Sequence, residues 1–460
     1  MSNRYLGLLV LIASLLPHPL WAAGLQAAPG LAWAAPFAGL LLSIAVLPLL
    51  APQFWHHRMG LVALLWVAAL LGPLSVQAGV AGAAAQAWHA VLIEYLPFVM
   101  LLLALFTVGG GILLEGGPWG TPAGNTALLA IGTLLAGVMG TTGVAMVLIH
   151  PLLRANAHRR QRVHLVVFFI LLCANAGGIT SPLGDPPLYV GFLRGVPFFW
   201  PLSHLLLPLA LVALPLLAVF FAADTILSRR DPNPLRHPLR LSGAINLALI
   251  ACVVGIVLMQ GLWHPGQTSV LGQSIDTERL VGILALALVT ATSLAVTPRR
   301  IRDANLFAWG PMAEVGKLFA AIFITILPVE AMLHAGAAGP LAGLLALTTD
   351  TAGNPEPLAY FWLAGSLAAV LDNAPTYLVF FQLAGDDAQK LTAGSGHVLR
   401  ALSAGSVFFG GLTYIGNAPN LLVRSIAAHR GIRMPGFFTY LAIAAALLLP
   451  IFAALSVILL

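Results

Sequence analysis

Charge is what this chain of 460 residues has least of. Only 8% of it is Asp, Glu, Lys or Arg, about a third of the share usual in a soluble protein, and 60% is hydrophobic. A water-soluble globule is excluded. Cysteine is scarce too: Cys173 and Cys252 both fall in apolar runs, so neither a disulfide framework nor a thiolate metal site is expected. There is no glycine-rich phosphate loop, no metal-ligand spacing and no nucleophile triad, so the chain is not expected to be an enzyme or to need a cofactor. The net charge of +6 does not argue for nucleic acid, because the basic residues sit in short loops between apolar spans.

What is abundant is apolar sequence in runs of about 20 residues, the length that crosses a bilayer. The chain is therefore read as an all-α polytopic membrane protein of about 10–11 transmembrane helices. Its first partner is the lipid bilayer, and a bacterial inner membrane is the expected location. Residues 1–30, with Arg4, a short apolar run and then small residues, read either as a secretory signal peptide or as a first span. Five basic clusters, at 56–58, 154–162, 229–240, 299–302 and 424–433, are assigned to the cytoplasmic side. Spans then fall near 31–52, 58–78, 89–115, 163–190, 203–224, 241–262, 277–296, 312–335, 398–425 and 436–458.

Two apolar stretches break the alternation. Residues 123–155 must enter and leave on the cytoplasmic side, and residues 356–386 on the opposite side. Each is about 30 residues, too short for two crossings. Re-entrant hairpins satisfy the count, with tips at "GTTG" (Gly140 to Gly143) and "DNAP" (Asp372 to Pro375). Laying position 140 over 372, an offset of 232, aligns "LAGVMGTTGVAMV" with "LAAVLDNAPTYLV". The same offset carries Gly178, Gly184 and Pro187 onto Gly410, Gly416 and Pro419. The two copies enter from opposite sides, so the expected organisation is an inverted repeat. Its first half is 31–225, a basic linker with connecting helices covers 226–311, and the second half is 312–460. In such repeats the substrate site lies at the midplane, where the halves meet.

Gly and Pro also interrupt two spans, at Gly177 to Pro187 and at Gly410 to Pro419. Unpaired backbone survives at that depth only inside protein or facing a watery cavity. The two hairpin tips and two broken helices are therefore expected to converge on one polar site. Asp185, before Pro186 and Pro187, reads as a helix N-cap and as a cation ligand or proton carrier; the roles are compatible. Asp372 opens the second tip beside Asn373, where the first copy has the uncharged Gly140, and burying its carboxylate needs a partner. Glu330, after Pro328, is a further candidate, or an acid solvated near the outer interface. Asn175, Asn373, Asn417 and Asn420 suit lining a site or patching broken backbone. Thr141, Thr142, Thr180, Ser181, Thr376 and Thr413 suit the same roles, or back-bonding within helices. His150 and His164 are read as hydrated at the interface, Asp224 as a span-end charge, and Lys317 as snorkelling to the inner face.

These motifs resemble the ion-transporter superfamily of arsenite carriers, sodium/proton antiporters and sodium-coupled di- and tricarboxylate carriers. "NAGGITSPLGDPP" is similar to the "GG…SP(I/L)GD" stretch of the antiporter branch, and "LDNAP" to its "DN-V-P" hairpin motif. "GGLTYIGNAPNLL" is similar to the second broken helix of the arsenite carriers. Over the whole chain from about residue 31, the likeness is to a group labelled sodium:proton antiporter or citrate transporter. The resemblance implies a scaffold and a transport domain, often in a homodimer, with elevator-like displacement. Dicarboxylate members carry Ser-Asn-Thr at both tips. Here Gly140-Thr141-Thr142 and Asp372-Asn373-Ala374 stand instead, which weakens the case for direct carboxylate binding.

No Lys or Arg occurs in either tip or at the breaks, and acids penalise an anionic ligand. The expected function is exchange of Na+ (or Li+) for H+, with Asp185 and Asp372 as ligands of the transported cation. The alternative is a di- or tricarboxylate such as citrate, moved with Na+, H+ or a complexed metal ion.

Overall fold

A computed structural model describes residues 29–229, 231, 237–393 and 396–459. The expected signal peptide or first span at 1–30 lies, but for Pro29 and Gly30, outside the described residues, as does part of the basic linker. The described chain is helical, with two short antiparallel ribbons at its edges: Leu113–Gly117 with His237–Ser242, and Gln267–Val270 with Gln273–Asp276.

Eight helices are long and apolar enough to cross a membrane, or up to nine if the bent pair Gly310–Thr325 and Leu327–His334 forms one span. The run Pro52–Gly109 is a single one of these, 58 residues long. At 1.5 Å per residue it extends about 85 Å, far beyond a hydrocarbon core of about 30 Å. The expected loop between spans 58–78 and 89–115 is absent. The helix instead bends at Gly79, whose φ of 76° and ψ of 158° are not helical, and passes through a π-helical stretch at Ala90–Tyr95. Dividing this run at Gly79 and adding the second broken helix brings the total to the expected range.

Both hairpins are present. Pro122–Met139 and Thr141–Ala155 meet at Gly140, and Pro357–Leu371 and Asn373–Leu383 meet at Asp372. The first begins sharply because Thr121 accepts a hydrogen bond from the Gly124 N–H at 3.1 Å and Pro122 pre-sets the opening turn. Both broken helices are present too. Val163–Leu172 gives way to a 3-10 turn at Ala176–Thr180 before helix Pro186–Leu193. His397–Phe408 gives way to a 3-10 turn at Phe409–Leu412 before helix Ala418–His429.

Burial sets the first broken helix apart from the other spans. The span Val163–Thr180 is 83% buried, whereas Ile245–Leu262, Thr277–Val296 and Phe437–Leu459 are each 28% buried. A helix that is apolar all round belongs in a protein core or in lipid. Here the broken helix takes the core, and the unbroken ones present Leu247, Leu284, Leu288, Phe438 and Val457 outward. Interrupted backbone is thereby kept away from lipid.

The repeat extends to individual hydrogen bonds. Ser181 Oγ donates to the Gly137 carbonyl, and Thr413 Oγ1 donates to the Ala369 carbonyl at the same offset of 232. Each hydroxyl also accepts a backbone N–H two residues on, from Leu183 at 3.0 Å and from Ile415 at 3.2 Å. Each break is thus stitched to the hairpin of its own half by one hydroxyl.

Candidate functional site

The two breaks fold tightly because glycine permits it. A Cβ on Gly184 would meet the Gly178 carbonyl oxygen at 2.0 Å, and one on Gly416 would meet that of Gly410 at 2.8 Å. These turns bring Asp185 and Asn417, equivalent positions in the repeat, to the starts of helices Pro186–Leu193 and Ala418–His429. Both are 1% exposed. Neither caps its helix through its side chain, so the capping role read for Asp185 does not hold.

Asp185 instead accepts three side-chain hydrogen bonds from three elements. Thr141 Oγ1, from the first hairpin tip, lies at 3.2 Å, and Asn417 Nδ2, from the second break, at 2.9 Å. The third donor is Asn373 Nδ2, from the second hairpin tip. The Thr141 N–H also donates to the Gly184 carbonyl at 2.9 Å. One carboxylate therefore joins both hairpin tips to both breaks. Three donors match the needs of an ionised carboxylate, which only accepts.

Asp372 holds a strained backbone. Its φ of 77° and ψ of 148° nearly repeat the 77° and 151° of Gly140, a region left almost entirely to glycine. Its carboxylate accepts the Asn373 N–H at 2.7 Å, and Thr376 Oγ1 donates to its carbonyl at 2.9 Å. Both acids line one cavity of about 60 Å³, together with Gly140, Thr141, Thr142 and Asn417. That is room for a few waters or a small ion. The opposite wall is apolar, with Leu101, Met312, Val315 and Phe319, and no Lys, Arg or His lines the cavity.

Behind the cavity an amide network supports the broken helices. Asn417 Nδ2 also reaches the Ala174 carbonyl at 3.2 Å and Asn175 Oδ1 at 3.3 Å. Asn175 Nδ2 donates to Asn420 Oδ1 at 2.8 Å, and Asn420 Nδ2 donates to the carbonyls of Gly410 and Thr413 at 2.8 and 2.9 Å. Asn175, Asn420, Ser181 and Thr413 thus patch backbone rather than face the cavity. Thr180 packs on the hairpin, its hydroxyl 2.0 Å from where a Cβ on Gly137 would stand. The Oδ1 of Asn373, fully buried, has no donor among the described residues, which leaves a carbonyl oxygen free beside the two acids.

Glu330 is not brought to this cavity. It accepts from Arg194 Nη2 at 2.9 Å and Gln382 Nε2 at 2.6 Å. Arg194 also pairs with Glu94 and Asp386, each at 3.1 Å. Sequence reading missed Arg194, whose only signal was its place just past the first broken helix. His150 was misplaced. His150 is buried with Nε2 3.0 Å from the Asn305 carbonyl, and His164 pairs with Asp224 at 2.8 Å. Asp224 stands at a span end, as expected, near the close of helix Trp200–Leu227, and there it is fully buried and also binds Arg159 and Asn125. The apolar cavity wall carried no signal, since Met312 and Phe319 look like any other membrane residues. Among the described residues no group of three or more His, Cys, Asp or Glu is placed to hold a metal ion.

No curated protein matches the chain. The family model described as "Putative citrate transport" matches residues 26–460, and the chain belongs to that family of membrane transporters.

Proposed function

We propose that this secondary transporter carries a monovalent cation, Na+ or Li+, in exchange for H+, with Asp185 and Asp372 as the groups for which the two compete. The observation that carries this reading is the pairing of two carboxylates in one small cavity without a cationic side chain. A free tricarboxylate there would face like charge in a low-dielectric setting, which is repulsive. Cavities that enclose organic ligands are usually about 300–1,000 Å³, well above the 60 Å³ found. Sodium would take oxygens from Asp372, Asp185 and the free Asn373 carbonyl; protons would neutralise the same acids. A loaded site loses net charge and can change sides, whereas an empty, doubly anionic one is held back by the expense of moving charge through hydrocarbon.

The family description favours a second reading, in which citrate moves with a cation that bridges it to the acids. Inside-out vesicles holding a pH gradient separate the two. On the first reading, Na+ or Li+ dissipates the gradient, Asp372→Asn abolishes the response, and Lys317→Ala retains it. Saturable citrate uptake with no response to sodium alone would replace the first reading by the second.

A further inference from the structure

A cavity of about 610 Å³ lies far from the two acids, where helix Val163–Leu172 begins, helix Trp200–Leu227 ends and the loop before Phe437–Leu459 passes. Its rim is basic. Arg160 and Arg162 come from the loop ahead of the first broken helix, and Arg433 from the loop that follows the second. None of the three guanidinium groups forms an ion pair among the described residues. The neighbouring acids do not quench them. Asp224 is taken up by Arg159 and His164, and among the described residues the Asp231 carboxylate accepts the backbone N–H of Arg160, at 3.3 Å, and forms no ion pair.

Below the rim the lining turns apolar, with Val167, Phe168, Leu227 and Ile443. Val167 and Phe168 stand about one turn inside their helix, and Ile443 stands nearly two turns inside its own. Ile443 is exposed, on a helix that is 28% buried, so the floor opens sideways toward lipid. Charge at the helix ends and hydrocarbon one to two turns deeper is the order of zones in one leaflet of a bilayer.

We propose that this pocket binds one anionic phospholipid from the leaflet that meets the basic loops. Arg162 and Arg433 would receive its phosphodiester, and the apolar floor would receive the first segments of its acyl chains. Guanidinium groups hold phosphate oxygens in paired hydrogen bonds, and basic pockets between membrane helices take anionic headgroups. A free inorganic anion would use the rim and gain nothing from Phe168 or Ile443. The lipid would also tie together the outer ends of both broken helices, since residue 162 leads into one and residue 433 follows the other.

The test uses the full chain purified in a neutral detergent, titrated with phosphatidylglycerol, phosphatidylcholine or inorganic phosphate, with bound lipid counted by native mass spectrometry. One saturable phosphatidylglycerol per chain is expected, with phosphatidylcholine bound at least tenfold more weakly. The Arg162→Ala/Arg433→Ala double variant should weaken phosphatidylglycerol binding about tenfold or more. Arg299→Ala/Arg300→Ala, in an exposed basic cluster outside the pocket, should leave it unchanged. These side chains are on the surface, and unaltered thermal unfolding in lipid-free detergent shows that both variants fold. Equal loss in the two double variants would reduce the effect to general surface charge and overturn the proposal. Displacement of the lipid by millimolar inorganic phosphate would overturn it in favour of a free-anion site.

Discussion

The two halves of the molecule share a backbone and differ in where they carry acid. In the first half the hairpin tip is Gly140 and the break ends in Asp185; in the second the tip is Asp372 and the break ends in Asn417. Backbone angles at the two tips agree within a few degrees, and the same hydroxyl brace holds each break to its hairpin. Yet Asp185 collects side-chain donors from three elements, whereas the Asp372 carboxylate is met only by backbone N–H groups of its own tip, among the described residues. A duplicated scaffold thus holds one acid that is satisfied and another that is strained. The satisfied one organises the centre; the strained one is the better placed to exchange partners.

The largest expected difference between the halves is steric. Gly184→Ala would push a Cβ to 2.0 Å from a backbone carbonyl oxygen, against 2.8 Å for Gly416→Ala. The first should destabilise by more than about 4 kcal/mol and leave little folded protein; the second should lose about 1–3 kcal/mol. Thermal unfolding in detergent checks the order, and equal losses would break the account of an unequal repeat.

Asp372→Gly gives the second half the residue the first half has. It should raise stability by about 1–3 kcal/mol, because the strained backbone becomes native to its residue, and abolish cation-driven dissipation of a pH gradient. A variant that is less stable, or that transports normally, would show that Asp372 is structural. Next come Ser181→Ala and Thr413→Val. Each removes the donor to a hairpin carbonyl and should cost about 1–3 kcal/mol, with the two losses similar if the bracing is symmetric.

The smallest effect lies away from the tips and breaks, in the loop at Asp350. The backbone N–H groups of Asn354 and Ala352, each 2.8 Å from its Oδ1, hold this exposed carboxyl below the usual range. A depressed carboxyl supports its loop above the ordinary Asp range and loses that support as pH falls through its own lowered value. Hydrogen exchange across 348–356 should be faster in Asp350→Ala than in the parent at neutral pH, with no change elsewhere.

Much of this architecture was legible in the residues. Apolar run lengths marked the spans, a parity argument marked the hairpins, and one offset of 232 aligned tips with breaks. Gly140 and Asp372 were named as tips because helix-breaking and backbone-bonding residues concentrate there. Glu330 was misread because an acid after Pro328 in an apolar segment looks the same whether it faces a cavity or an arginine 136 positions away. His150 was misread, and the partners of Asp224 went unforeseen, for a related reason. Their partners are Asn305, Arg159 and His164, and pairing across such separations leaves no local pattern.

Residue order alone was enough to show that the chain lives in a bilayer, that it repeats, and that its backbone breaks at four places near two acids. Hydrophobicity, glycine and proline act on the chain locally, so their message survives in one dimension. It took the folded arrangement to make Asp185 the hub of both tips and both breaks, and to give Glu330 to Arg194 instead. Those assignments depend on which side chains meet across more than a hundred residues, and packing alone selects them.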